Sequence, residues 1–391
     1  MQSTRSAVVA FLCAVAALFV GIWLGGHPES LPGSIRDAFV DEDRALRAEV
    51  VDTIKDNFYK PVNEDKLDDA SLKGIVDALD DQYSHYLTPD EAKQFEESVS
   101  GEFEGVGMNV EEDRRGLKVI RVFDGSPARK AGIGEGDLIL AVNGRSIAGV
   151  NSEVATGRIK GPSGTSVSLE VFSPGDARPR TVSVERARIE VPVASGRIVR
   201  RDGHEVGVVE LISFSSGAHG LVRQQIRRVL NAGAEGIVLD LRGNGGGLLS
   251  EAVLVSSIFI EDGKIVSVRG RARPERVEDA EGDAIDEGIP VAVLVDGGSA
   301  SASEIVTGAL HDRGRATVVG THTFGKGLVQ EVERLSNGGV LDLTVANYYL
   351  PGGDTIGRDG IKPQVRARDD RSTSRDEALP VAVETVLDER R

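Results

Sequence analysis

The chain has 391 residues, 40% of them hydrophobic and 28% charged, with a formal net charge of -16. This is a globular balance on a chain too long for one ordinary core, so two or three domains are expected. The acidic excess excludes nucleic acid as a partner, since that needs clustered Lys and Arg, and the single cysteine, Cys13, excludes a disulfide framework.

Ala7 to Leu24 is an 18-residue run without a charge, with Arg5 before it and the break Gly25 to Pro28 after it. Such a run is long enough to span a bilayer or to act as the apolar part of a secretion signal. No small-x-small cleavage pattern follows, and the positive residue precedes the run. An uncleaved single-pass membrane anchor over 1–26 is therefore expected, with the remaining chain extracytoplasmic.

From Asp41 to Val99 apolar residues recur at helical spacing: Val51, Ile54 and Phe58, then Leu72, Ile75 and Leu79. Thr88 and Pro89 suit the cap and first turn of a further helix. Region 27–100 reads as a helical positioning element, compatible with homo-oligomerisation, in which His85, set among Tyr83 and Tyr86, is a packed residue.

Between Gly101 and about Glu190 the texture changes to short β-rich runs broken by glycine, at 117–123, 137–142, 167–172 and 181–186. Gly105-Val106-Gly107-Met108 can turn successive backbone N–H groups toward one point, a nest for a carboxylate. With Ser126 to Gly132, Gly136 to Gly144 and the tight Asn143-Gly144 turn, residues 101–190 resemble a PDZ domain. Such a domain would take a protein or peptide substrate with a free carboxyl terminus as an added strand after Met108, its carboxylate on Gly105, Val106, Gly107 and Met108. The helix Ser152 to Lys160 would close the groove, with Val154 and Ile159 divided between groove and core.

Beyond Pro192 strands at 206–212, 237–241, 291–295, 317–319, 329–335 and 341–349 alternate with helices at 217–230, at 248–260 and after Ser301. That pattern predicts a layered α/β domain over 191–370. The acidic stretch Glu275 to Glu287 reads as an exposed loop, and 371–391 as a tail with a terminal helix.

Within this domain Asp296 to Leu310, DGGSASASEIVTGAL, runs from an apolar strand through a glycine turn and small residues into a helix. Ser301 falls near the helix amino terminus, where unpaired N–H groups and the dipole can stabilise an oxyanion. A plain capping box with Glu304 is the competing reading. Lys326, between Gly325 and Gly327 at the head of an alternating strand, shares a face with Gln330 by its even spacing. To serve as a base it must lose about 3 units from a pKa of ~10.4, a cost near ~4 kcal/mol, and a Gln partner adds no charge to oppose that.

These segments resemble the carboxyl-terminal processing peptidases, or tail-specific proteases, from about Asp52 to Val365. The resemblance implies a layered core of the ClpP/crotonase type and a serine endopeptidase with Ser301 as nucleophile, Lys326 as general base and Gln330 orienting the lysine. It implies oxyanion N–H groups at Gly246, within LDLRGNGGGL, and at Ala302, and no metal or cofactor. This chain departs from the family in having Gly245 where proline is usual and Lys160 where arginine is usual. The alternative reading is a catalytically silent PDZ scaffold that binds carboxyl-terminal tails. His311 and His322 read as structural, and Gly243 to Gly247 lacks the pattern of a nucleotide loop because Leu248 stands at its third glycine.

Overall fold

The structure, a computed structural model, describes residues 42–370, 372–373 and 375–390, so the apolar run at 7–24 and the expected anchor lie outside the described residues. Among the described residues no helix is long and apolar enough to cross a membrane. The chain divides into two compact units after Asp80. The first holds α1 (Glu42–Asn57) and α2 (Glu64–Asp77). Asn63 caps α2 by accepting from the Lys66 N–H, and Arg47 and Lys55 of α1 pair with Asp68 and Glu64 of α2. Val51 and Ile54 are half-buried, whereas Phe58, Ile75 and Leu79 are more than half exposed.

The second unit opens with β1 (His85–Leu87) and α3 (Pro89–Ser100), so 27–100 is not one helical region. In His85-Tyr86-Leu87 the alternation buries Tyr86 at 4% exposure, and the strand pairs with residues 340–342 far along the chain. Thr88 and Glu91 form a full capping box on α3, with Pro89 in its first turn.

The β module follows: β2 (Glu102–Gly105), β3 (Met108–Asp113), β4 (Gly116–Val122), α4 (Pro127–Lys130), β5 (Leu138–Val142), β6 (Arg145–Ser146), α5 (Ser152–Ile159), β7 (Ser166–Phe172), β8 (Arg180–Glu185) and β9 (Ala187–Glu190). One sheet runs β3-β4-β5-β7-β8 with β6 on β5, which leaves β3 at an edge, and β2 pairs with β9. Asn143 and Gly144, with φ of 49° and 73°, make the hairpin between β5 and β6, as their sequence demands. Ile159 of α5 is buried in the module's core while Val154 is 53% exposed, which assigns the first to packing and leaves the second outward.

The core domain comprises β10 (Ala194–Arg201), β11 (His204–Leu211), α6 (Ala218–Asn231), β12 (Ile237–Asp240), α7 (Leu249–Ser257), β13 (Lys264–Gly270), β14 (Arg276–Asp279), β15 (Val291–Val295), α8 (Ala302–Asp312), β16 (Thr317–Gly320), β17 (Leu328–Arg334), β18 (Val340–Tyr349), β19 (Val365–Arg366) and α9 (Ala378–Glu389). Its main sheet has the order β10-β11-β12-β15-β16-β19 and is parallel from β11 onward. Every residue of β12 and β15 is buried, because parallel strands are covered on both faces and read as apolar runs. Ile237, Leu239 and Val293 pack under α6, α7 and α8; Val238, Ala292 and Leu294 pack under α9. The terminal helix is thus one wall of the core, with Ala382, Val383 and Val386 fully buried, and not a tail.

A second sheet has the order β1-β18-β13-β14, with β17 also on β18. Its β14 lies inside the stretch expected to be an exposed loop. The acidic composition masks it, since pairing with β13 satisfies the backbone while the side chains, Val277 included, stay largely in solvent.

Candidate active site

Three neighbouring parallel strands, β12, β15 and β16, end at one edge of the main sheet, the edge at which α/β sheets gather their ligands. The first leads into the loop 242–247, the second into the turn 296–301 and the third into the segment 321–327. Asp296 Oδ1 laces the first two together by accepting from the N–H groups of Gly243 (2.8 Å) and Gly298 (2.9 Å). Ser303 Oγ donates to the Asn244 carbonyl at 2.8 Å, and buried Asn244 donates its side-chain amide to the Leu211 carbonyl at 2.8 Å.

Ser301 stands at the head of α8 with φ 55° and ψ -111°. A side-chain-bearing residue adopts such a backbone only where its surroundings over-determine it, as they do at many active sites. The capping reading of Ser301 is half true. Its backbone N–H donates to the Glu304 carboxylate at 2.9 Å, but the hydroxyl closes no cap hydrogen bond, and the Glu304 N–H donates to the Ser301 carbonyl at 2.8 Å.

Ser301, Lys326 and Gln330 line one cleft of about 1640 Å³, which Gly245 and Gly247 also border. The two glycines flanking Lys326 have a steric cause: a Cβ at Gly325 would lie 2.3 Å from the Arg358 carbonyl oxygen, and one at Gly327 2.1 Å from that of Ile356. Lys326 is half-buried, its Nζ 5.0 Å from the centre of the Tyr83 ring. Burial holds its ammonium below the ordinary lysine range, and the carboxylates of Asp342 and Asp81 pull it back upward. Gln330 adds no charge against the lowering, as expected, but these two carboxylates do.

Gln330 donates its side-chain amide to the Tyr83 carbonyl at 3.2 Å, so Tyr83 is the residue on which Gln330 and Lys326 meet. A bulge between Val329 and Gln330 interrupts the even spacing that was expected to align the two side chains.

Glu304 is the residue that sequence reasoning undervalued. Fully buried, its carboxylate accepts from the backbone N–H of Ser301 (2.9 Å), the Thr323 hydroxyl (2.5 Å) and the N–H groups of Gly325 (2.7 Å) and Lys326 (2.9 Å). One carboxylate thus fixes the main chain of the serine turn and of the lysine segment. The available signal was an acidic residue directly before the apolar run Ile305-Val306, on a helix whose face must be buried.

The loop 242–247 sits over the head of α8, so closely that a Cβ on Gly246 would lie 2.8 Å from the Ala300 carbonyl oxygen and 3.0 Å from the Ala302 nitrogen. The Gly246 N–H itself donates to Asn244 Oδ1 at 2.9 Å. Ala302, 1% exposed, is the first residue of α8, where helical geometry leaves the N–H without an intrahelical acceptor. His311 pairs with its neighbour Asp312 at 2.9 Å, and the ring of His322 meets the Asp359 carbonyl at 3.0 Å. Neither histidine lines the cleft.

In the β module Val106 is buried at 3%, and the carbonyls of Val106 and Gly107 accept from Ala128 (2.8 Å) and Phe123 (3.1 Å). Met108 opens the edge strand β3. Lys160, just past α5, pairs with Glu97 of α3 at 2.6 Å.

Residues 205–367 match peptidase family S41, and residues 94–172 match the PDZ domain. The carboxy-terminal processing protease CtpA of Bacillus subtilis (strain 168) is 35% identical over 360 residues, which cover 92% of this chain and 76% of that protein. A carboxy-terminal-processing protease of Bartonella bacilliformis is 36% identical over 323 residues, covering 81% and 73%. Among solved structures, a photosystem II D1 C-terminal processing protease is 27% identical with a TM-score of 0.50, over 89% of this chain and 97% of that one.

Proposed function

The chain belongs to peptidase family S41, as a C-terminal processing serine endopeptidase with a PDZ domain, and from that premise we propose that Ser301 and Lys326 carry its chemistry on substrates held by their carboxyl-terminal tails. The observation that carries this reading is the buried Glu304 carboxylate, bonded at 2.9 Å to the N–H of Ser301 and at 2.9 Å to that of Lys326.

In the proposed reaction the neutral Lys326 amine takes the Ser301 hydroxyl proton as the oxygen bonds to the scissile carbonyl carbon. The Ala302 N–H stabilises the oxyanion, and Gly246 adds its own when Asn244 Oδ1 releases it. As the C–N bond breaks, the Lys326 ammonium protonates the leaving amine. Lys326 next deprotonates a water, whose oxygen displaces Ser301 from the acyl group and restores the resting enzyme. Gln330 steadies this arrangement through the Tyr83 carbonyl. Because the base must be neutral, activity falls as pH drops through the lowered Lys326 pKa.

The edge strand β3 and the Gly105–Met108 turn receive the tail, main chain to main chain, which favours many tails over one sequence. The apolar run Ala7 to Leu24 supports a membrane-anchored enzyme acting outside the cytoplasm. A phosphatase that works only outside the cytoplasm, fused after Arg391, should be active, and an inactive fusion would refute that placement.

The test of function is to incubate the protein with unfolded substrates that differ only in their last few residues, comparing wild type with Ser301→Ala. Tail-dependent cleavage that disappears in Ser301→Ala, with tail binding kept, is the expected result. Tail binding without any cleavage by the wild type would leave a silent adaptor.

A further inference from the structure

Asp342 shares the cleft with the lysine, and the proposed reaction gives it no part. It lies on β18 and lines the same cleft as Ser301, Lys326 and Gln330. The ladder sets it between His85 of β1 and Val332 of β17, two pairs along from Gln330–Thr344. Its Oδ1 is buried with no hydrogen-bond partner among the described residues. Buried polar atoms are rarely left so, and a titratable one with a charged neighbour in a cleft is a candidate for a functional role.

The charged groups around it come from several elements. Lys326 approaches from the segment before β17, His85 from β1 and Asp81 from the stretch leading into β1. Arg334, two positions past Val332 on β17, is held by Glu96 of α3 at 2.7 Å. Glu331 and Glu333 alternate to the other side of β17, with Glu331 engaged by Arg273 at 2.7 Å.

We propose that the charge of Asp342, set in the same cleft as the base, favours the ammonium form of Lys326 between turnovers and thereby sets the acid limit of activity. The inference rests on Lys326 being the base. Burial pushes Asp342 up and Lys326 down, while their mutual attraction opposes both shifts. As long as the carboxylate is charged, Lys326 keeps its proton to a higher pH than the cleft walls alone would allow. Taking that charge away frees the amine at lower pH. Because Oδ1 accepts no hydrogen bond, an amide at position 342 keeps the shape of the side chain and removes its charge.

The experiment is the pH dependence of kcat/KM for tail-bearing peptides in wild type, Asp342→Asn, Asp342→Ser, Asp342→Glu and Lys326→Ala. The acid limb should move down by about one pH unit in the two neutral variants, raising activity below it by about tenfold. Asp342→Glu should restore the wild-type limb. An unmoved limb in Asp342→Asn or Asp342→Ser, or a rate lowered equally at every pH, overturns the proposal while inactive Lys326→Ala upholds the base. Activity retained by Lys326→Ala overturns the base itself.

Discussion

The PDZ domain and the protease core each carry a glycine turn to which the proposed function brings a substrate, but the two turns are held in different ways. In the PDZ domain Gly107 turns at φ 79° against a side chain, since an added Cβ would lie 2.4 Å from Ser126 Cβ. In the core the serine turn and the lysine segment are both tied to one fully buried carboxylate, Glu304. A turn backed by a side chain can yield by small movements. A segment fixed by a buried charge cannot, because any donor pulled away leaves a carboxylate oxygen unpaired. On the proposed function, recognition is then tunable and catalysis close to all-or-none.

The change that should break this contrast most is Glu304→Gln. It exchanges a carboxylate with four donors for an amide that can accept on only one side. We expect kcat/KM to fall by about 100-fold or more, as a misplacement near 1 Å suffices for that, and stability to drop by about 3 kcal/mol. Peptide turnover and chemical denaturation measure the two, and wild-type values in both would show that Glu304 is a helix cap and nothing more.

A smaller effect is expected for Gly107→Ala in the PDZ turn, where the positive φ and the Ser126 contact strain any side chain. Tail-peptide affinity, read by fluorescence anisotropy, should weaken by about tenfold, roughly 1.4 kcal/mol, with kcat kept. A fall in kcat at saturating tail would mean that the two turns are not independent.

The smallest effect is predicted at Gly245, on the rim of the catalytic cleft, where a Cβ would meet nothing within 4 Å. Gly245→Ala should raise stability by about 0.4–1 kcal/mol through the unfolded chain and leave turnover unchanged. A large loss of rate would show that loop 242–247 must flex during the reaction.

The same contrast explains what could be read in the sequence. The PDZ features are local: the Asn143-Gly144 hairpin, the Gly105–Met108 turn and the α5 helix each declare themselves within a few residues, and each stands where expected. The strand–turn–helix around Ser301 is local too, and β15 and α8 fall on either side of it. What was hidden is nonlocal. Tyr83 reaches the lysine only because β1 pairs with β18 at the other end of the chain. Asp342 joins it through the same pairing, which composition and spacing cannot reveal. Glu304 was visible as the fourth residue of a capping box, yet three of its four donors come from residues 323–326. Strand β14 was concealed by charge, since it is stabilised by a partner strand and not by its own side chains.

The central claim, that a neutral Lys326 activates Ser301, is tested most directly by the rate at which a fluorophosphonate labels Ser301 in wild type and in Lys326→Ala, with tail affinity measured on both. Labelling slower by about a thousandfold or more in Lys326→Ala, with tail affinity unchanged, is the predicted result. Equal labelling rates would contradict the assignment of Lys326 as the base.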